Sequence, residues 1–348
     1  MVDEVLFSTS ENGVATILLN RPKALNSLNF NMVNAIGEKL KSWEANSDIK
    51  CVIIKGAGER GLCAGGDIKT LYKAQESTEN LEKAYEFFSK EYQTDLAIAN
   101  YPKPIIAALD GIVMGGGVGL TYGADIKIVT ERTAWAMPET SIGFFPDVGA
   151  AYFLNKAPGM VGRYLALTGI QIKASDILYI NGASHYMSFE TLGHFLHKLE
   201  EVDLSKETIE RTLEELLKEF STRPPNDSDI SSRQKEIDTF FGYTTVEEIV
   251  QSLEESSTEF SKKTNEVLLS KSPVSLKVTL KQLIDGEQKT LEACLMTDLI
   301  LAKNFMKHPD FFEGVRSVVI DKDHTPNYQY ETLASVSNQL VQEFFPPE

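Results

Sequence analysis

Little in this chain invites the commonest catalytic chemistries. It holds 3 cysteines in 348 residues, and Cys51, Cys63 and Cys294 share no metal or redox spacing. That excludes a disulfide framework and fits a reducing compartment. Cys51 and Cys294 fall in apolar runs and read as core. Cys63, between Leu62 and Ala64, reads as a packed thiol. Histidine is scarce too. The 5 present are His185, His194, His197, His308 and His324, all away from the glycine-rich stretches. His194 and His197 stand three apart on a helical pattern, but no third ligand lies nearby, so no metal is expected. A G-x-S-x-G nucleophile elbow is missing. So is a G-x-G-x-x-G fingerprint: counting from Gly115, Leu120 stands where the third glycine would be. No apolar run reaches about 18 residues, so no membrane-spanning helix is expected. Met1 leads straight into a strand pattern, with no signal peptide or Arg-rich presequence. The closing Phe-Phe-Pro-Pro-Glu is not a peroxisomal address. A cytoplasmic protein, or an organellar one already trimmed, is the expectation.

Positive charge is also in deficit. Against 50 Asp and Glu stand 34 Lys and Arg, a net charge of −16. Nucleic acid and anionic membranes are poor partners for such a surface. The remaining composition, 42% hydrophobic and 24% charged, is that of a globular protein with one large or two modest domains.

What the chain has in abundance is glycine at strand ends. Pro104–Val113 reads as one buried strand, with Ile105, Ile106, Ala107, Ala108 and Leu109 in series. Gly115, Gly116, Gly117 and Gly119 follow, then a short helical piece from Val118 to Tyr122 and a strand from Ile126 to Thr130. The next loop carries Glu139 behind Pro138 and Asp147 behind Pro146. Earlier, the strand Cys51–Lys55 runs into a second glycine turn, Ala64-Gly65-Gly66-Asp67, ahead of another helix. Strand, glycine turn and helix start together present unpaired N–H groups that a ligand can approach. Two such turns could supply two donors to one oxygen.

The rest of the chain frames these stretches. Val5–Thr9 and Gly13–Leu19 read as a hairpin around Glu11-Asn12-Gly13. Lys23–Leu28 is a loop, and Asn29 or Asn31 caps a helix reaching about Glu44, with Met32, Ile36, Leu40 and Trp43 on one stripe. Residues 67–100 are helical. On spacing alone Glu91, among Phe87, Phe88, Tyr92, Leu96 and Ile98, reads as a surface acid. Helices over Ala150–Asn155 and Val161–Leu167, one opening at Lys173–Asp176 and closing at Asn181-Gly182, and a short strand at Ala183–Met187 complete the first part. Beyond Glu190 the pattern is helical, with a linker-like break at Ser221–Ser232. Then come a long amphipathic run over Thr245–Leu269, a helix from Pro273 behind Ser272 to about Gly286, and a third that Pro309 stops. In that third helix Leu291, Cys294, Leu295, Leu299, Ala302 and Phe305 share a face.

Three motifs in order, GLCAGGDIK, PIIAALDGIVMGGGVGL and MPETSIGFFPDVGAAYFL, resemble the crotonase (enoyl-CoA hydratase/isomerase) superfamily. Together with the C-terminal FFEGVRSVVIDKDHTPNY they most resemble its 3-hydroxyisobutyryl-CoA hydrolase subfamily. The resemblance runs from about Val5 to about Tyr328. It implies an α/β fold, a crotonase-like spiral of ββα units. Residues 1–200 would form the acyl-CoA-binding core, and residues 201–348 a helical region covering the pocket. It implies an acyl-CoA substrate and no cofactor besides the CoA of that substrate, and it allows a homo-oligomer without fixing one, since relatives range from small to hexameric assemblies. By position, the amides of Gly66 and Gly116 would hold the thioester carbonyl. Glu91, Gly116, Glu139 and Asp147 would contact the substrate. Arg21, Lys23, Ala24, Leu25, Ala64, Asp67 and Ile68 would contact CoA, with Lys69 and Lys73 as further basic candidates.

The carboxylates choose the reaction. Hydratases of the superfamily typically use two glutamates. One of those places is Glu139 here, and the other is occupied by Gly119. Losing one acid/base leaves water addition to a C=C bond badly served, while Asp147 appears eight residues after Glu139, as in the hydrolase subfamily. The expectation is hydrolysis of a short 3-hydroxyacyl-CoA, in the manner of valine catabolism. Glu139 would be either nucleophile or base for water. The alternatives are an enoyl-CoA hydratase or isomerase working with Glu139 and Asp147, and a non-catalytic acyl-CoA-binding subunit.

Overall fold

β-branched and aliphatic runs become strands, and the strands sort into two sheets. In this computed structural model, residues 3–204 and 207–345 are described. Met1, which the sequence reading led into a strand, and Pro346–Glu348 of the Phe-Phe-Pro-Pro-Glu tail lie outside the described residues. The opening hairpin is β1 (Val5–Thr9) antiparallel to β2 (Val14–Leu19). β3 (Cys51–Gly56) then lies parallel to β2, and β4 (Gly61–Cys63) leaves for a second sheet. The step recurs twice. β5 (Ile105–Leu109) pairs parallel to β3 while β6 (Ile112–Met114) pairs parallel to β4. β7 (Ile126–Val129) pairs parallel to β5 while β8 (Ala134–Ala136) joins β6. β9 (His185–Tyr186) closes the larger sheet beside β7. This repeated step between sheets is the expected spiral of ββα units.

The expected single strand Pro104–Val113 is therefore two, β5 and β6. Gly111 breaks it: its φ is +62°, and a Cβ there would lie 2.6 Å from the Arg60 carbonyl oxygen. The chain turns into the second sheet at a point only glycine can occupy.

Contacts divide the chain into two compact units. One comprises Met1–Gly66, Gln93–Trp135 and Ile172–Asp229; the other comprises Asp67–Tyr92, Ala136–Gln171 and Ile230–Glu348. The boundary expected near residue 200 falls inside the helix Phe189–Glu201. That helix and the helix Ile209–Phe220 bury Leu192, Phe195, Leu199, Leu213, Leu216 and Leu217 in the same core as Cys51, Ile53, Ile106 and Ile128 of the sheet. The first unit also holds the helix Phe30–Glu44, capped by Asn29, whose side chain accepts from the Met32 amide at 3.0 Å.

The second unit is helical. The helix Pro273–Gly286 starts at Pro273, and the Ser272 hydroxyl caps it. The helix Leu291–Phe305 buries Cys294, Leu295, Leu301, Ala302 and Phe305, together with Asp298, while Leu299 is only half-buried. The amphipathic run Thr245–Leu269 is two helices, Val246–Glu254 and Glu259–Leu269, because Thr258 caps a fresh start by accepting from Ser261 N–H. Likewise the linker-like break ends early: Asp229–Ser232 is helical. Pro309 does more than stop a helix. It is the first residue of the next, Pro309–Val315, which continues into a π turn at Arg316–Ile320. Phe144 sits at the centre of an aromatic cluster, 4.6–5.8 Å between ring centroids from Phe88, Phe145, Phe305 and Phe311.

Candidate active site

In the first unit the spiral brings the two glycine turns side by side. β4 and β6 are parallel neighbours, so the turns that follow them leave the same sheet edge. Gly65, at φ +99°, packs so closely on the second turn that a Cβ would lie 3.3 Å from the Gly116 nitrogen and 3.2 Å from the Met114 carbonyl oxygen. A Cβ on Gly117 would meet the Cys63 carbonyl oxygen at 2.6 Å. The glycines thus permit contact between two backbones that side chains would force apart. Gly116 is the first residue of its helix, where amides have no intrahelical acceptor. Gly66 lies in a bridge with Leu28. The N–H groups of Gly66 and Gly116 donate to no described residue.

Around these turns lies the loop assigned to CoA. Pro22–Ala24 forms a 3-10 turn, and Leu25 and Asn26 follow at φ 54° and 55°. Asn26, which the sequence reading passed over, fixes this loop. Its side-chain amide donates to the Ala57 and Gly61 carbonyls at 3.0 Å each, and its oxygen accepts from Arg21 N–H at 2.9 Å. Leu25 accepts from the Ala64 amide at 3.1 Å, which joins two of the expected CoA contacts. Arg21 pairs with Glu4 at 3.1 Å and donates to the Ser27 carbonyl at 2.7 Å, so its charge is already engaged in shaping the loop. Lys23 and Ala24 are exposed.

The second unit holds the acids. Glu139 and Asp147 are 8% and 6% exposed, and Glu91 is 2% exposed. The surface-acid reading of Glu91 is therefore wrong: Phe87, Phe88 and Tyr92 share its buried part of the helix Thr78–Ala99. Glu139 opens a 3-10 turn, Glu139–Ile142, rather than lying in an irregular loop. Its Oε2 is buried with no hydrogen-bond partner among the described residues, an uncommon state for a carboxyl oxygen. Burial, and then the Asp147 charge, hold the Glu139 carboxyl well above the ordinary carboxylate range. Burial also pushes Asp147 up to about 6, opposed by the Tyr92 hydroxyl, which donates to Asp147 Oδ2 at 2.6 Å. Asp67 caps the helix Ile68–Tyr72 by accepting from Thr70 N–H, and Lys69 and Lys73 on this side are exposed.

Both acid-bearing turns are held from behind. Lys271 donates to Ser141 Oγ at 2.7 Å. Gly143 and Gly314 allow the turn after Glu139 to lie backbone to backbone on the helix Pro309–Val315: a Cβ on Gly314 would be 2.3 Å from the Ile142 carbonyl carbon. The Asp147 turn is held by Gln282 and Asp298, which the sequence reading missed. Gln282 donates to the Pro146 carbonyl at 2.9 Å and to Asp298 Oδ1 at 2.8 Å, and Gly149 N–H donates to Asp298 Oδ2 at 2.8 Å. One signal was available: Asp298 is the acid on an otherwise apolar face, in i, i+4 register with Cys294 and Ala302. His194 and His197 are exposed, and His197 pairs with Glu201.

A sequence pattern described as enoyl-CoA hydratase/isomerase matches residues 14–345. The chain belongs to the enoyl-CoA hydratase/isomerase family. Within this family it is 40% identical over 347 residues to the mitochondrial 3-hydroxyisobutyryl-CoA hydrolase of Danio rerio, covering 98% of this chain and 89% of that one. The human protein of that name is 37% identical over 348 residues, covering 99% and 88%. Among solved structures, a carnitinyl-CoA dehydratase from Mycobacterium thermoresistibile superposes with a TM-score of 0.92 at 32% identity, covering 99% of this chain and 97% of that one. An enoyl-CoA hydratase from Rhodobacter sphaeroides gives 0.89 at 30% identity, covering 99% and 98%.

Proposed function

We propose that this family member hydrolyses the thioester of 3-hydroxyisobutyryl-CoA or a similar short 3-hydroxyacyl-CoA, releasing CoA and the hydroxy acid. The observation that carries the reading is a buried glutamate with an unpartnered oxygen, beside a second buried acid held by a tyrosine, in a chain whose other expected glutamate position is Gly119. In this proposal the Gly66 and Gly116 amides receive the carbonyl oxygen as it gains negative charge. Glu139 attacks the carbonyl carbon to give an anhydride that water opens, or takes a proton from the attacking water. Either way one water is consumed, the C–S bond breaks, and the thiolate of CoA leaves and takes up a proton. Asp147 and Glu91 contact the acyl group. Arg21, Lys23, Ala24, Leu25, Ala64, Asp67 and Ile68 contact CoA, and no further cofactor takes part. The relatives named above are labelled mitochondrial; a cytoplasmic address for this chain stands as a proposal that cell fractionation decides.

The test is free-thiol release from 3-hydroxyisobutyryl-CoA by the purified protein. Glu139→Gln should lower kcat by roughly 10²–10⁴-fold, the range of a positioned acid/base, with circular dichroism unchanged. A second reading, hydration of an enoyl-CoA, is favoured by the likeness to the two solved structures above, a carnitinyl-CoA dehydratase and an enoyl-CoA hydratase. It predicts loss of enoyl absorbance from crotonyl-CoA with no thiol released, and that result would displace the hydrolase reading.

A further inference from the structure

Behind Asp147 the second unit spends three buried polar side chains on one short turn. Val148 has φ +51° and Gly149 φ +82°. A β-branched residue in the left-handed region is strained and persists only where its surroundings over-determine it. Gln282 and Asp298 supply that restraint, tying the Pro146 carbonyl and the Gly149 amide to two long helices. Asp298 is fully buried, and its two carboxyl oxygens accept from Gln282 and from Gly149 N–H. Stability alone accounts poorly for a carboxyl there, because an apolar residue of that size would avoid the desolvation cost. On the far side of the turn Tyr92, 4% exposed, holds Asp147 Oδ2.

We infer that Tyr92, Gln282 and Asp298 are positioning residues that fix the Asp147 carboxylate as acceptor for the substrate's hydroxyl, and so set a preference for hydroxylated acyl groups. The inference rests on the hydrolase reading above. A site built to hydrogen-bond a substrate hydroxyl rejects the analogue lacking it far more strongly than an apolar pocket discriminates by size, because its own polar group is left unpaired. That discrimination depends on the acceptor being held in place. Tyr92 takes one oxygen and fixes the plane of the carboxylate; the Gln282–Asp298 pair fixes the backbone from which it projects. The groups that act electrostatically on this cluster are Tyr92, with Glu91 beside it; Glu139; and Asp298, with Lys289 next.

The experiment compares kcat/KM for 3-hydroxyisobutyryl-CoA and isobutyryl-CoA in the wild type, Tyr92→Phe, Asp298→Leu and Asp298→Asn, each checked for fold by circular dichroism and thermal unfolding. The wild type should favour the hydroxylated substrate. Tyr92→Phe should cut that preference at least 10-fold, chiefly through KM of the hydroxylated substrate. It should also move the acid limb of the kcat/KM profile to higher pH, since the Asp147 carboxylate loses a donor. Asp298→Leu should cut the preference similarly, and Asp298→Asn, which keeps an acceptor for Gly149 N–H, should restore most of it. Folded Tyr92→Phe and Asp298→Leu proteins with the wild-type preference and limb would overturn the inference and leave the hydrolase reading standing. A wild type that releases thiol equally from both substrates would do the same. No release from either substrate would instead remove the hydrolase reading itself.

Discussion

Two carboxyls buried on neighbouring turns do not ionise as they would alone. Glu139 and Asp147 each lose hydration, and the charge of one disfavours the charge of the other, so their titration belongs to the pair. If the ionised pair is the active form, kcat/KM should still be climbing as pH rises through about 6, the value to which burial pushes Asp147. A carboxylate in water is fully ionised well below that. A profile flat down to pH 5 would contradict this. Residues of this kind were partly legible in the sequence. Glu139 and Asp147 stand behind prolines in a glycine-rich stretch, and the family resemblance gives them a role. Glu91 and Gln282 were not legible from their own neighbourhoods, and Asp298 offered only its place on an apolar helix face. Whether an acid on an amphipathic helix faces water or the interior depends on what packs against that face, and local spacing does not carry that information.

At the level of elements, glycines decide how closely backbones meet. Gly314 lies inside the helix Pro309–Val315 and packs on the end of the Glu139 turn. An alanine in a helix ordinarily gains up to about 1 kcal/mol over glycine. Here the added Cβ would meet backbone at 2.3 Å, which no side-chain rotation relieves. Gly314→Ala should therefore destabilise by about 1–3 kcal/mol, the usual cost of overpacking. It should also lower kcat about 10–100-fold as the turn shifts, measured by thermal unfolding and thiol release. A more stable, fully active variant would refute this packing argument. Element starts were the most legible part of the fold: Asn29 and the Ser272-Pro273 pair each open the helix their chemistry predicts. Breaks were less so. The split of Thr245–Leu269 rests on the Thr258 cap, and that of Pro104–Val113 on Gly111. In both cases an apolar pattern continues across a point where the backbone has already turned.

The molecule as a whole carries a charge of −16, and its interior holds acids of raised pKa. Burial pushes Asp298 up to about 8, with Gly149 N–H opposing and the Asp147 charge reinforcing. A folded-state pKa above the unfolded value contributes stability that is complete below about pH 4 and is lost as pH rises through the folded value. For Asp147 the loss therefore runs from about pH 4 to about 6, and for Asp298 from about pH 4 to about 8, at up to about 1.4 kcal/mol per pH unit for each group between its unfolded and folded pKa. Surface repulsion acts in the same direction but is screened by salt, whereas the buried part is not. In 0.5 M salt the decline in unfolding free energy between about pH 4 and 8 should persist, and Asp298→Asn should lessen it most between about pH 6 and 8. A decline that disappears in salt would assign it to the surface alone.

The interleaving of the two units bears on how the chain can be made. Each unit takes one piece from before residue 67 or 93, one from the middle and one from beyond residue 171 or 229. A nascent polypeptide emerging from the ribosome passes residue 200 without completing either, and the sheet still lacks the helix Ile209–Phe220 that shields its apolar side. Maturation must wait for the far end, so a product cut at 200 would expose oily surface and clump instead of yielding a working half.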